Sequence, residues 1–185
     1  NSGHVRIYSW SGSAWTQMGA DIDGTANDIS GFSVSLSTDA DTVAIGAPNY
    51  DGNGINSGRV RIYSWSGSAW TQLGADIVGL SASQSGYSVS LSGGGQTVAI
   101  GARDSTSGNN SGHVRVYSWS GSAWNQMGAD IDGEAAGDHS GSLVSLSSDG
   151  QTVAIGAPHN DGNGVSSGHV RVYSWSGSAW NQMGA

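Results

Sequence analysis

Apolar positions alternate with small or polar ones in short bursts along this chain, and the bursts recur. Phe32, Val34 and Leu36 alternate with Ser33, Ser35 and Ser37, the pattern of a strand with two unlike faces. A short turn, Thr38-Asp-Ala-Asp41, leads into Thr42-Val-Ala-Ile-Gly-Ala47, again large against small. A loop holding Asp51-Gly-Asn-Gly54 feeds a third strand, Arg59-Val-Arg-Ile-Tyr-Ser-Trp65. Ser66-Gly67-Ser68 then closes a hairpin to a fourth strand running from Ala69 to Ile77. Gly, Asn and Asp stand where turns need positive φ or side-chain-to-backbone bonds.

This four-strand unit repeats. Asn1-Ser-Gly-His-Val-Arg-Ile-Tyr-Ser-Trp10 returns at Asn56, at Asn110 and at Ser166, after 55, 54 and 56 residues. A fixed period of that length signals a repeat architecture in which each unit needs neighbours to bury its faces. The first two strands of a unit carry a bulky face (Val34, Leu36, Val43, Ile45) and a small one (Ser33, Ser35, Ala44, Gly46), and neither carries charge. Bulky side chains of one sheet are expected to lie on the Ser/Ala/Gly face of the next. Radial stacking of such sheets predicts an all-β fold, a β-propeller of ~55-residue four-stranded antiparallel blades. A β-solenoid is the alternative, though its rungs are usually much shorter. In chain order the strands make a partial blade over 1–23 and blades over about 24–78, 79–132 and 133–185, about three and a half in one array. The chain thus reads either as a piece of a longer one or as a unit whose copies complete one another's sheets. Open strand edges predict pairing with other copies.

Composition narrows the function. Glycine contributes 31 of 185 residues, proline 2 and cysteine none; Lys is absent, and six Arg stand against fourteen acids for a net charge of −8. Without a basic cluster there is little to grip phosphates, so nucleic acid is not an expected partner. No apolar run approaches ~18 residues, so membrane insertion by a helix is not expected. Without Cys there is no disulfide, thiolate-zinc or thiol chemistry.

The runs Gly31-Phe-Ser-Val-Ser-Leu-Ser37, Val43-Ala-Ile-Gly-Ala-Pro48 and Ser57-Gly-Arg-Val-Arg-Ile-Tyr63 resemble the FG-GAP repeat of integrin α-chain propellers. Gly141-Ser-Leu-Val-Ser-Leu146, Val153-Ala-Ile-Gly-Ala-Pro158 and Ser167-Gly-His-Val-Arg-Val-Tyr173 carry the same likeness. The resemblance implies one blade per repeat, a ring usually of seven, and an extracellular or cell-surface setting. Blades of that family often hold calcium in an Asp-x-Asp-x-Asp-Gly loop between the first two strands. Here that connection shrinks to tight hairpins at 37–42, 92–97 and 147–152, so the family's calcium ligands do not carry over.

Each remaining chemical signal has a structural reading beside it. The pairs Trp10/Trp15, Trp65/Trp70, Trp119/Trp124 and Trp175/Trp180 flank every outer hairpin, as sugar-stacking platforms or, preferably, as hairpin clamps. Arg6, Arg61, Arg115 and Arg171 recur on the third strand and are expected to face a neighbouring blade's Asp. His4, His113 and His169 share a strand-start position that is Arg59 in the second copy, which suits a surface strand residue better than a metal ligand. Acidic loops (Asp21/Asp23, Asp28, Asp51, Asp130/Asp132, Asp138, Asp161) offer oxygens that calcium could use, but Asx-turns use the same residues with no metal and are the preferred reading. Copy two has Val78, Ser83 and the loop Asp104-Ser-Thr-Ser-Gly-Asn109 in their place, so metal is not needed by every blade. Asn109-Asn-Ser111 is a glycosylation sequon. These polar residues are serial, whereas a catalytic site is singular. No catalytic, cofactor or metal residue is therefore assigned. The expectation is a non-catalytic extracellular binding or adhesion module for a protein or glycan ligand. The alternatives are a structural subunit of an extracellular filament or coat, a homo-oligomer of its own copies and, third, a glycan-processing propeller.

Overall fold

The computed structural model describes residues 1–104 and 109–184, and every regular element among them is a strand. The first unit holds β1 (His4–Val5), β2 (Tyr8–Trp10), β3 (Trp15–Gln17) and β4 (Ile22–Asp23), with β2 on β3 and β1 on β4. The second runs β5 (Ser33–Leu36), β6 (Thr42–Ala47), β7 (Arg59–Trp65), β8 (Trp70–Gln72), with β9 (Ile77–Val78) also on β7. The third repeats this order through β10 (Ser85–Leu91), β11 (Thr97–Ala102), β12 (His113–Trp119), β13 (Trp124–Gln126) and β14 (Ile131–Asp132). The last comprises β15 (Leu143–Leu146), β16 (Thr152–Ala157), β17 (His169–Trp175) and β18 (Trp180–Gln182). All ladders are antiparallel. These units are blades 1 to 4 of a β-propeller array, and blade 1 holds only the outer two strands.

The blades stack as their two-faced strands require. Ala44 of blade 2 lies in one cluster with Val89, Leu91, Val98 and Ile100 of blade 3. Ala99 of blade 3 likewise meets Leu146, Val153 and Ile155 of blade 4. Each bulky face therefore lands on the small face of the blade before it, and each fully buried Val or Ile contributes about 1.5–3 kcal/mol. The inner strands β5, β10 and β15 lie side by side, and their serines join them. Ser33 and Ser88 donate to the carbonyls of Gly86 and Gly141 at 2.8 Å, and Ser35 and Ser90 accept from the amides of Leu91 and Leu146 at 2.9 Å. The Ser-x-Ser alternation is thus a hydrogen-bonded seam, not a solvent face.

The fourth strand differs from the continuous one expected over 69–77. It breaks into β8 and β9 around Gly74-Ala75-Asp76, with Gly74 at φ +78°. The same break occurs at Gly19 and Gly128, both left-handed. Asp76 in the bulge is held by Gln72 Nε2 and Arg59 Nη1, each donating at 2.8 Å. A half-buried bulge of this kind is stable because its polar side chain is satisfied by neighbouring strands.

Close approach across the inner joints sets a sharp expectation. A Cβ at Gly101 would fall 2.0 Å from the Gly141 carbonyl oxygen, whereas one at Gly156 would meet nothing nearer than 3.6 Å. Gly101→Ala is expected to lower stability by about 3 kcal/mol and Gly156→Ala by less than about 0.5 kcal/mol in denaturant unfolding. Equal losses would show that inter-blade approach is not what these glycines serve.

Candidate functional site

Three joints between blades have one construction at the rim. The indoles of each Trp pair lie 5.2 to 5.5 Å apart, tilted. Trp65 and Trp70 sit over Gly19 of the preceding bulge, Trp119 and Trp124 over Gly74, and Trp175 and Trp180 over Gly128. Trp70, Trp124 and Trp180 donate Nε1–H to the carbonyls of Met18, Leu73 and Met127 at 2.8 to 2.9 Å. The pairs therefore clamp blade to blade as well as closing their own hairpins. Beside each clamp lies a rim groove, of about 330 Å³ at Asp76/Tyr117/Trp124 and about 250 Å³ at the other two joints.

The recurring Arg residues serve two ends. Arg6 bonds Asp21 and Arg115 bonds Asp130, both within their own blade and not the neighbour's. Gln17 and Gln126 complete these bulge latches at 2.8 Å. Hydrogen bonds from Arg6 and Gln17 hold the Asp21 carboxyl down at about 2, and Arg115 lowers that of Asp130. Arg61 and Arg171 instead reach back to the preceding blade, to the Asp23 and Asp132 carbonyls at 2.8 Å.

The strand-start position is not uniformly a surface site. Arg59 and His113 are buried there, whereas His169 is half-buried. Arg59 pairs with buried Asp28, bonds Asp76 and stacks its guanidinium 4.2 Å from the Tyr50 ring centroid. In blade 3 the corresponding residues are His113 and Ser83, both buried, so neither position there carries the Arg or the acid of blade 2. Burial pushes the His113 imidazole below its ordinary value, with Arg115 adding to it. His4 is exposed, and His169 lies 3.7 Å from Glu134.

The acidic loops are mostly occupied by their own turns. Asp51 and Asp161 accept from the amides of Asn56 and Ser166, Asp138 from that of Ala135 and from Asn160 Nδ2, and Asp28 from Thr25. Asp39 and Asp149 close the tight hairpins with Ser37 and Ser147, whose hydroxyls lower both carboxyls. Among the described residues no group of three or more His, Asp or Glu is placed to hold a metal ion. Asn109 of the sequon is exposed, while positions 105–108 of that loop lie outside the described residues.

One constellation is not serial. Phe32 and Tyr87 rings lie 4.8 Å apart, and Arg103 stands over Tyr87 at 4.9 Å while donating to its hydroxyl at 3.1 Å. Arg103 and His139 each lie 3.4 Å from Asp104 Oδ1. His139 then meets His159 edge to face at 5.2 Å. The row runs from blade 2 to blade 4 over the start of β10 and the loops entering and crossing the blades, and its members are half-buried or exposed. His139 holds φ +51° where Ile29 and Gln84 hold +55° and +54°, so the entering loops share one strained backbone. Arg103 replaces Pro48 and Pro158 of the other copies, and His139 replaces Ile29 and Gln84. Aligning the copies and asking where they differ was the available signal for this row. Period and composition do not show it.

With this geometry in place, known proteins provide the frame. The FG-GAP repeat family model matches residues 16–63 and 130–173, and the chain belongs to the FG-GAP-like β-propeller repeat family. Solved propellers superpose on it at low identity. The periplasmic gluconolactonase of Pseudomonas aeruginosa is 18% identical, with TM-score 0.61, and the alignment covers 99% of this chain and 52% of that one. The β-propeller domain of the Trilobed protease from Pyrococcus furiosus, of open velcro topology, is 9% identical with TM-score 0.56, covering 98% and 49%. Sqt1 of Saccharomyces cerevisiae is 14% identical with TM-score 0.54, covering 86% and 36%. The chain thus spans about half the length of the first two. Comparison by sequence with curated proteins found no match.

Two outcomes test the buried strand-start sites. Asp28→Ser leaves the buried Arg59 with Asp76 as its remaining acidic partner and is expected to cost about 2 kcal/mol, most of it regained when Arg59→His is added to copy the residues of blade 3. An additive double variant would show the two residues to be uncoupled. His113 is held neutral in the fold and gains a proton on unfolding below about pH 6.5. Stability is therefore full above that pH and falls below it, toward the lowered folded value. His113→Gln should flatten the loss measured between about pH 7.5 and 5.5. An unchanged slope would sink this assignment.

Proposed function

We propose that this chain is a non-catalytic binding module acting outside the cell, with the loop row from Phe32 to His159 as its contact surface. The observation that carries the reading is that aromatic and cationic chemistry gathers where the copies differ, on a scaffold that is otherwise serial. Loops on a rigid sheet scaffold are where binding residues concentrate. Two aromatic rings beside a guanidinium and two imidazoles suit a ligand with an apolar face and a carboxylate, which describes an acidic sugar. Arg can grip a carboxylate in two-pronged fashion while its plane stays on Tyr87.

A galacturonate tetrasaccharide, with its neutral galactose counterpart as control, tests this by calorimetric titration. The acidic probe is expected to bind at least about tenfold more tightly than the neutral one, and Arg103→Ala to remove about that factor at unchanged melting temperature. Equal affinity for both sugars, or an Arg103→Ala chain that binds as before, would overturn it.

A further inference from the structure

The clamps leave a groove beside them at each of the three joints, and the three grooves share one lining. In the groove between blades 2 and 3, the bulge supplies one wall with Ala75, Asp76 and Val78. Blade 3 supplies the other with Tyr117 of its third strand and Ala123 and Trp124 of its outer hairpin. The equivalent residues line the grooves at Asp21 and at Asp130. At about 250 to 330 Å³, these hollows stand at the small end of ligand sites, which run to about 300–1,000 Å³. Such a space suits one sugar ring better than a longer molecule.

The chemistry of the walls narrows the ligand. Asp76 accepts hydrogen bonds from Gln72 and Arg59, Asp21 from Gln17 and Arg6, and Asp130 from Gln126 and Arg115. An ionised carboxylate has about four acceptor positions, and the latch takes at most three of them. Each groove therefore keeps a further acceptor whose charge an Arg already balances. A hydroxyl donor can use that acceptor. An added carboxylate cannot, because it has no proton to give, and an ammonium gains little from a charge that is already paired. The half-buried Trp beside it offers an apolar ring surface at the same place. A ligand with hydroxyl donors along its edge, an apolar face and no charge meets all three demands.

The geometry points to three rim sites for a neutral hexose of the glucose type, one ring per groove, with its C–H face on the Trp and a hydroxyl donating to the bulge Asp. Equatorial hydroxyls leave such a ring two faces made of C–H groups, which is what an indole wall can cover. The groove at Asp76 is the roomiest of the three and carries Val78 where the others carry Asp23 and Asp132, so it binds most tightly. One site holds so small a ligand with a Kd on the order of 1 mM. Three on one chain favour a surface that displays many such sugars. These sites lie at the outer hairpins, apart from the loop row between Phe32 and His159, and they select against the charge that row selects for.

Nitrogen–proton correlation spectra read each groove separately, through the indole N–H of Trp70, Trp124 and Trp180. Methyl β-glucoside is expected to shift all three saturably, Trp124 at the lowest concentration, and methyl β-glucuronide to require at least about tenfold more. Ala75→Gln fills the first groove and should abolish the Trp124 shift alone. Ala123→Gln should do the same from the opposite wall, whereas Ala75→Ser leaves the groove open and should keep the shift. Both alanines are exposed, so melting temperatures should match the parent. Arg103→Ala removes the cation of the loop row and should leave the three shifts unchanged, so the two binding readings fail separately. An absence of saturable shifts, an equal response to the neutral and the charged sugar, or a Trp124 shift that survives both blocking variants would overturn the proposal.

Discussion

The contact on which everything else depends is the close approach of one sheet's small face to the next sheet's large one. At the inner strands the approach is so near that a single Cβ at Gly46 or Gly101 would fall 2.0 to 2.1 Å from a carbonyl oxygen of the next blade. That distance lets Ser33 and Ser88 reach the same carbonyls and lets Val89 and Leu91 cover Ala44. Apolar burial and hydrogen bonding are therefore obtained at one place by one device, the alternation of large and small residues along a strand. Farther from the axis the blades diverge, and a different filler is needed. The Trp pairs supply it, wide enough to bridge from one hairpin to the preceding bulge and polar enough at Nε1 to end on a carbonyl.

Much of this was legible in the sequence. Strict alternation in 32–37 and 42–47 specified two unlike faces, and the 54-to-56-residue period required that they meet between copies. The second and third strands of blade 2 fall where the pattern put them. The bulge was not legible, because Gly74-Ala75-Asp76 breaks a strand only once Gln72 and Arg59 close on Asp76, and those partners are set by register. The burial of Arg59 and His113 was missed for a related reason. Exposure of a strand's first residue depends on whether a loop from the previous blade covers it, which no local pattern records.

Arg59 and His113 also show how the scaffold tolerates change. Position 59 is charged only where residue 28 is an acid beneath it; where that loop offers Ser83, the strand carries His113. An unpaired guanidinium in such a place would cost several kcal/mol, and a neutral imidazole avoids that cost. Compensation within a joint leaves its neighbours unaffected, as expected when each repeat touches only the next.

That locality separates the two kinds of surface this chain presents. Residues at the joints repeat because every joint imposes the same distances on them, so Trp, Gly and Gln recur in each copy. Residues on the entering loops are held by backbone bonds instead: the amides of Ser30, Ser85 and Ser140 donate to the carbonyls of Ser2, Ser57 and Ser111 at 2.8 to 3.1 Å. Those bonds fix the path of the loop through its backbone, so the half-buried side chains Ile29, Gln84 and His139 differ from copy to copy on one backbone path. A row of Phe, Tyr, Arg and His can then form across three blades without disturbing a single joint. The backbone holds the loop in place, and the side chains upon it vary without cost to the joints.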